Sequence, residues 1–202
     1  LSNIKYRSQS GTNVPRDYVE FPSQVMENWM TQPEVLAQFA KHYQTGEVIP
    51  QTLVEKIQAA SQFNQGFSTV EYMAATYLDL DWHTLKNNDI HNAAEFEENS
   101  LTKMGLIPQI APRYRSTYFS HIFAGGYSAG YYSYLWSDIL GADAFEAFKE
   151  NGIFDKHTAD KFRQYILSTG GSADPMMLYK QFRGKEAGIE PLLRSRGLLD
   201  KH

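Results

Sequence analysis

The segment HIFAGGYSAGYYSYLW, from His121 to Trp136, gathers one imidazole, a glycine pair and four phenols within sixteen residues. Read as a helix beyond Gly125 and Gly126, it sets Tyr127, Tyr131 and Tyr134 at i, i+4 and i+7 along one face, with Tyr132 pointing elsewhere. A phenol keeps its proton at neutral pH and can donate it in a hydrogen bond to a developing oxyanion. A row of phenols beside His121 is therefore a transition-state-stabilising set. Each component also has a plainer use: an aromatic stripe as helix core, a lone histidine as a satisfied structural residue, and Gly125-Gly126 as a chain reversal. Spacing alone favours the plainer uses.

A second candidate is Glu20, in the phrase DYVEFPSQ. A carboxylate on an early helical turn complements the helix dipole or faces solvent, so Glu20 by itself carries no chemistry. The chain has no cysteine, which removes thiolate ligands, a thiol nucleophile and disulfides, and leaves His, Asp and Glu to hold any metal. The histidines are His42, His83, His91, His121, His157 and His202, and no two stand four apart. The sequence therefore lacks H-E-x-x-H, the helical pair that sets two imidazoles on zinc with a glutamate as general base.

These residues need a frame, and the pattern predicts a mainly α one. In DYVEFPSQVMENWM, Val19, Val25, Met26, Trp29 and Met30 fall at helical spacing, with Pro22 near a helix start or kink and Glu20 in or beside the first helix. Pro50 precedes TLVEKIQAASQF, whose Leu53, Ile57, Ala60 and Phe63 mark one face of an amphipathic helix. Ser68 and Glu71 read as a capping box that starts a helix at YMAATYLDLDWHTL. AAEFEENS reads as a short solvated helix, and Leu101 to Arg115 as a long connection, a kind of segment that often serves function. TADKFRQYILSTGG ends on a glycine pair, and Asp174 and Pro175 take the N-cap and N1 places of MMLYKQFRGK.

Composition excludes several classes. With 19 Lys and Arg against 23 Asp and Glu, net charge −4 and no basic block, the chain offers no field for phosphates, so nucleic acid is not an expected partner. No apolar run approaches the roughly 20 residues that cross a bilayer, and no membrane partner is expected. The opening at Leu1, in mid-phrase, predicts a piece of a longer precursor.

Longer phrases carry a resemblance. SGTNVPRDYVEFPSQVMENW resembles the segment just downstream of the H-E-x-x-H helix in the thimet oligopeptidase and peptidyl-dipeptidase (dipeptidyl carboxypeptidase) family of zinc metallopeptidases, and RYRSTYFSHIFAGGYSAGYYSYLW resembles that family's substrate-binding loop and helix. FRGKEAGIEPLLRSRGLL is similar to the end of the bacterial dipeptidyl carboxypeptidase branch. The resemblance covers essentially all 202 residues. It implies a single C-terminal fragment, residues 1–202, forming the helical part of a zincin-like catalytic domain without its H-E-x-x-H helix.

By the same resemblance Glu20 is the third protein ligand of a catalytic zinc, whose two His ligands and general-base Glu lie outside the chain. His121 binds peptide backbone, Tyr127 and Tyr134 contact substrate and oxyanion, Tyr131 stands between them, and Gly125 and Gly126 form the substrate loop. The six-residue step from His121 to Tyr127 resembles the dipeptidyl carboxypeptidase branch, which implies release of C-terminal dipeptides from an oligopeptide substrate. Arg113 and Arg115 are candidates for the substrate's free carboxylate, with solvated surface arginines as the plainer use. The expected partners are peptide and the remainder of the parent chain, and the fragment alone is expected to be inactive. The expected compartment is the cytoplasm, or the periplasm if a signal preceded the chain. The alternatives are an oligoendopeptidase of the same family, a non-catalytic helical peptide-binding module, and a purely structural lobe.

Overall fold

A computed structural model describes residues 1–87 and 92–199, so His91 and His202 lie outside the described residues. The fold is mainly α, as the pattern predicts. In chain order the helices are α1 (Arg16–Val19), α2 (Phe21–Glu27), α3 (Pro33–Phe39), α4 (Gln51–Ser61), α5 (Gln65–His83), α6 (Ala93–Met104), α7 (Ser120–Phe123), α8 (Ser133–Asn151), α9 (Lys156–Phe162), α10 (Pro175–Arg183) and α11 (Glu190–Ser195). Among the described residues there is no strand, and the one isolated bridge joins Lys41 and Val48.

The chain divides into two compact units. One is Leu1–Phe63 with the described part of Leu135–His202, the other Asn64–Tyr134. In the first, Pro22 explains why α1 and α2 are separate. An unbroken helix would need an N–H at Pro22 to reach the carbonyl of Tyr18, and the proline ring would collide there. The break falls at Glu20, whose own carbonyl accepts from Gln24 N–H at 2.9 Å and from the Ser23 hydroxyl at 2.8 Å. Phe21 is fully buried among Tyr18, Phe162 and Tyr179, with ring centroids 5.3, 6.0 and 5.7 Å away. Trp29 stands edge-on to Phe145 and Phe148, at 4.7 Å from each, and its Nε1 donates to the Ile153 carbonyl at 3.0 Å.

The buried face of the DYVEFPSQVMENWM phrase is thus Tyr18, Phe21 and Val25, whereas Met26 and Met30 are exposed. Those three stand at i, i+3 and i+7, one helical face that carries through the break at Glu20 and leaves Met26 off it, while Met30 falls in the 3-10 turn after α2. In α4 the helix forms where expected, after Pro50, but Val54 is its buried residue. Leu53, Ile57 and Phe63 are exposed, because no described residue of this unit covers that face. Asp174 caps α10 as expected, accepting from Met177 N–H at 2.9 Å, and Asp155 caps α9 through Thr158 N–H at 2.7 Å. After α9 the chain widens into a π turn over Arg163–Leu167.

The second unit departs from the sequence pattern in three places. Helix α5 begins at Gln65, after Asn64 in the left-handed region, so Ser68 lies inside the helix and its N–H bonds to the Asn64 carbonyl at 3.1 Å. A Ser68–Glu71 capping box therefore does not start it. Helix α6 is longer than AAEFEENS. It includes Leu101 to Met104, ends at Gly105, and buries Glu97, Ser100 and Leu101, so the long connection begins only after Met104. Finally, α8 starts at Ser133, and residues 127–132 form turns. Tyr127, Tyr131 and Tyr134 are thus not one face of a helix.

Candidate functional site

The second unit brings His121, Tyr127, Tyr131 and Tyr134 together although the shared helix face is absent. Helix α7 is a single turn whose reversal is closed by Ala124 and Gly125 N–H groups donating to the Ser120 carbonyl at 2.8 and 2.6 Å, and by Tyr127 N–H donating to the His121 carbonyl at 3.0 Å. A side chain at Gly125 would place its Cβ 3.0 Å from both the Cα and the carbonyl oxygen of His121. Any larger residue there would have to push the His121 backbone aside by a few tenths of an ångström. Gly126 follows at φ 79°, a conformation in which a Cβ is penalised. The glycine pair folds the chain back so that Tyr127 returns over His121.

The rings then converge. His121 lies 6.1 Å from Tyr127, 5.6 Å from Tyr131 and 6.4 Å from Tyr134, each in an edge-on arrangement. Tyr127 and Tyr134 stack at 5.3 Å, and Tyr131 meets Tyr134 at 5.4 Å. Phe119 and Ile122 are buried beneath this set, next to Ala75 of α5. The Nδ1 atom of His121 is buried with no hydrogen-bond partner among the described residues.

Burial pushes the Tyr131 phenol well above its ordinary pKa, with the neighbouring Tyr114 adding to the effect, so Tyr131 remains a neutral donor. Arg113 lies over the Tyr114 ring, 5.9 Å from its centroid. Burial disfavours its charge, but the oxygens of Tyr131, Tyr114 and Glu71 outweigh that and raise its pKa. Arg115 is engaged differently: its Nε is 2.5 Å from a carboxylate oxygen of the buried Glu97, which also accepts from Ser116 N–H at 2.8 Å. Of the two arginines, Arg113 is the one beside the phenols.

Spacing does not single out Tyr72, Tyr114 or Asp79. Tyr72 stacks on Tyr131 at 5.3 Å and donates its hydroxyl to the Tyr131 carbonyl. Tyr114 packs 5.2 Å from His121. The available signal for Asp79 was its position in LDLDW, a charge set into an apolar helical run.

Glu20 belongs to the other unit. It is half-buried at the α1–α2 break, with one carboxylate oxygen 3.2 Å from the Ser23 hydroxyl. Among the described residues no group of three or more His, Asp or Glu side chains could hold a metal ion. A carboxylate oxygen is a suitable zinc donor, and such sites use three or four protein ligands. Glu20 therefore fits a metal as one contributor among several.

Residues 1–198 match peptidase family M3, and the chain belongs to that family. It is 46% identical over 196 residues to a dipeptidyl carboxypeptidase of Escherichia coli, a match covering 96% of this chain and 29% of that protein. It is 40% identical over 204 residues to oligopeptidase A of the same organism, covering 98% and 29%, and 30% identical over 199 residues to a thimet-like oligopeptidase of Dictyostelium discoideum, covering 98% and 29%. The chain thus spans under a third of the length of these relatives. Among the described residues no helix is long and apolar enough to cross a membrane.

Proposed function

We propose that this chain supplies the peptide-binding wall and one metal ligand of a zinc-dependent peptidase that releases dipeptides from the C-terminus of oligopeptides. The observation that carries this is the convergence of His121, Tyr127, Tyr131 and Tyr134. Membership of a peptidase family supports the reaction class, and the likeness to a dipeptidyl carboxypeptidase supports the dipeptide-releasing mode.

In this assignment Glu20 is a zinc ligand, and the other ligands and the general base come from beyond the described residues, in the remainder of the parent chain. Zinc, when bound, supplies a Lewis acid for the scissile carbonyl and a water of lowered pKa. His121, whose side chain is half-buried, pairs with a backbone group of the peptide. Tyr134 or Tyr127 directs its phenolic hydroxyl at the carbonyl oxygen as negative charge develops there, a contact worth about 3 kcal/mol when removed. Tyr131, held neutral by burial, forms the floor between them.

The test uses the full-length protein carrying these residues, an N-terminally blocked peptide and mass spectrometry, with and without a zinc chelator. Successive loss of C-terminal dipeptides, abolished by the chelator and by Glu20→Gln, is the expected result. Internal cuts would move the protein to the oligoendopeptidase mode. No cleavage by folded, zinc-supplied protein would leave a peptide-binding module.

A further inference from the structure

Asp79 takes no part in the chemistry proposed above, yet its side chain is fully buried in the second unit. A carboxylate is retained in an interior only when its oxygens are paired, and both of these are. One accepts from Ala129 N–H at 2.9 Å and the other from Tyr131 N–H at 2.8 Å. His83, one helical turn further along α5, places Nδ1 2.8 Å from the first oxygen and 2.9 Å from the Asp79 carbonyl. Two acceptors facing Nδ1 put the imidazole proton on that atom.

The two N–H groups belong to a conformation the chain does not favour by itself. Ala129 has φ 52°, the left-handed region, where an alanine Cβ is penalised. The penalty is accepted here because the turn aims the N–H groups of residues 129 and 131 at a single anion, as backbone nests do. In this nest the anion is the protein's own Asp79. The same helix also holds the other side of the Tyr131 residue, because its carbonyl accepts from the Tyr72 hydroxyl. Tyr72 and Asp79 are seven residues apart, two turns along one face of α5.

We propose that Asp79 is a positioning residue for peptide binding: from the interior it fastens the left-handed turn at Ala129 and so sets the phenols of Tyr127 and Tyr131 against His121. This rests on the peptide-binding role proposed above. The carboxylate touches no substrate and acts only through the turn.

The test compares wild-type full-length protein with Asp79→Asn, which keeps the shape but turns one acceptor into a donor facing an N–H group. Amide hydrogen exchange over residues 127–132 is expected to accelerate about tenfold or more, and the KM for a blocked peptide to rise about tenfold while kcat changes far less. Ala129→Gly, which removes the left-handed penalty, is expected to recover part of the KM in the Asp79→Asn background. Asp143→Asn is the comparison for general damage. It alters an equally buried carboxylate of the first unit that accepts from the Tyr179 hydroxyl at 2.5 Å, and is expected to lower thermal stability without raising KM. Unchanged exchange in Asp79→Asn, or a KM no higher than in Asp143→Asn, overturns the proposal. Wild-type protein that folds, holds zinc and cleaves nothing removes the peptidase function and the substrate half of this proposal with it, and exchange still decides whether Asp79 fastens the turn.

Discussion

Tyr127 and Tyr134 stack with their ring planes 17° apart and centroids at 5.3 Å, although one sits in a turn and the other in the first turn of α8. Stacking sets the two phenols side by side, so both hydroxyls can serve one substrate atom or two neighbouring ones. Tyr134 is fixed by the helix that carries it, whereas Tyr127 depends on the glycine reversal before it. The more rigid donor is the better oxyanion partner, since its orientation costs nothing at the moment of reaction.

Tyr134→Phe is therefore expected to lower kcat on a blocked peptide by about 100-fold with KM nearly unchanged, the signature of a contact made in the transition state. Tyr127→Phe should act mainly on KM. Steady-state kinetics of the two variants in the full-length protein measure this, and an effect confined to KM in both would remove the oxyanion role.

Much of this wall was legible in the sequence, but through a wrong intermediate. The i, i+4, i+7 spacing predicts one helical face for Tyr127, Tyr131 and Tyr134, and that helix starts only at Ser133. The tyrosines meet because Gly125 and Gly126 reverse the chain and Asp79 fastens the turn, a long-range interaction that local periodicity does not register. Pro22 predicts Glu20 in or beside the first helix, and Glu20 lies at the α1–α2 break because proline acts locally. Leu53, Ile57 and Phe63 predict one face of an amphipathic helix, and the structure leaves all three exposed. Pattern shows that a face is apolar, not which segment covers it.

Three tyrosines should resist alkali. Burial raises the phenol pKa of Tyr18, Tyr131 and Tyr179 well above the ordinary value near 10, and for Tyr179 the Asp143 carboxylate adds to the rise. A raised folded-state pKa gives stability that is full below about pH 10 and is lost as pH climbs from there towards the folded values. Absorbance titration should show these phenols ionising only as the protein unfolds, and the unfolding midpoint should fall steadily above about pH 10. Reversible ionisation of all thirteen tyrosines in folded protein would contradict the burial described here.

Phe21 and its neighbour Glu20 should separate stability from ligation. Phe21→Ala empties a fully buried site among Tyr18, Phe162 and Tyr179 and is expected to cost about 3–5 kcal/mol in urea unfolding. Glu20→Gln, at a half-buried position, should change stability by about 0.5 kcal/mol or less while abolishing zinc-dependent cleavage. A Glu20→Gln variant as unstable as Phe21→Ala would make Glu20 a structural residue.

Arg113 supplies a way to test which end of a peptide is read. It is exposed, lies over Tyr114 and is coupled electrostatically to Tyr131, so its charge is available beside the phenol cluster, whereas Arg115 is committed to Glu97. A guanidinium recognises a free carboxylate through paired N–H donors, and an amide end gives it only one acceptor and no charge. Wild-type protein should therefore prefer a free C-terminus over its amidated counterpart, and Arg113→Gln should raise KM about tenfold for the free acid while leaving the amide nearly unchanged. The diagnostic quantity is the ratio of the two KM values. If that ratio is the same in wild type and variant, the guanidinium serves the Tyr114 face alone, and the terminal carboxylate is recognised elsewhere.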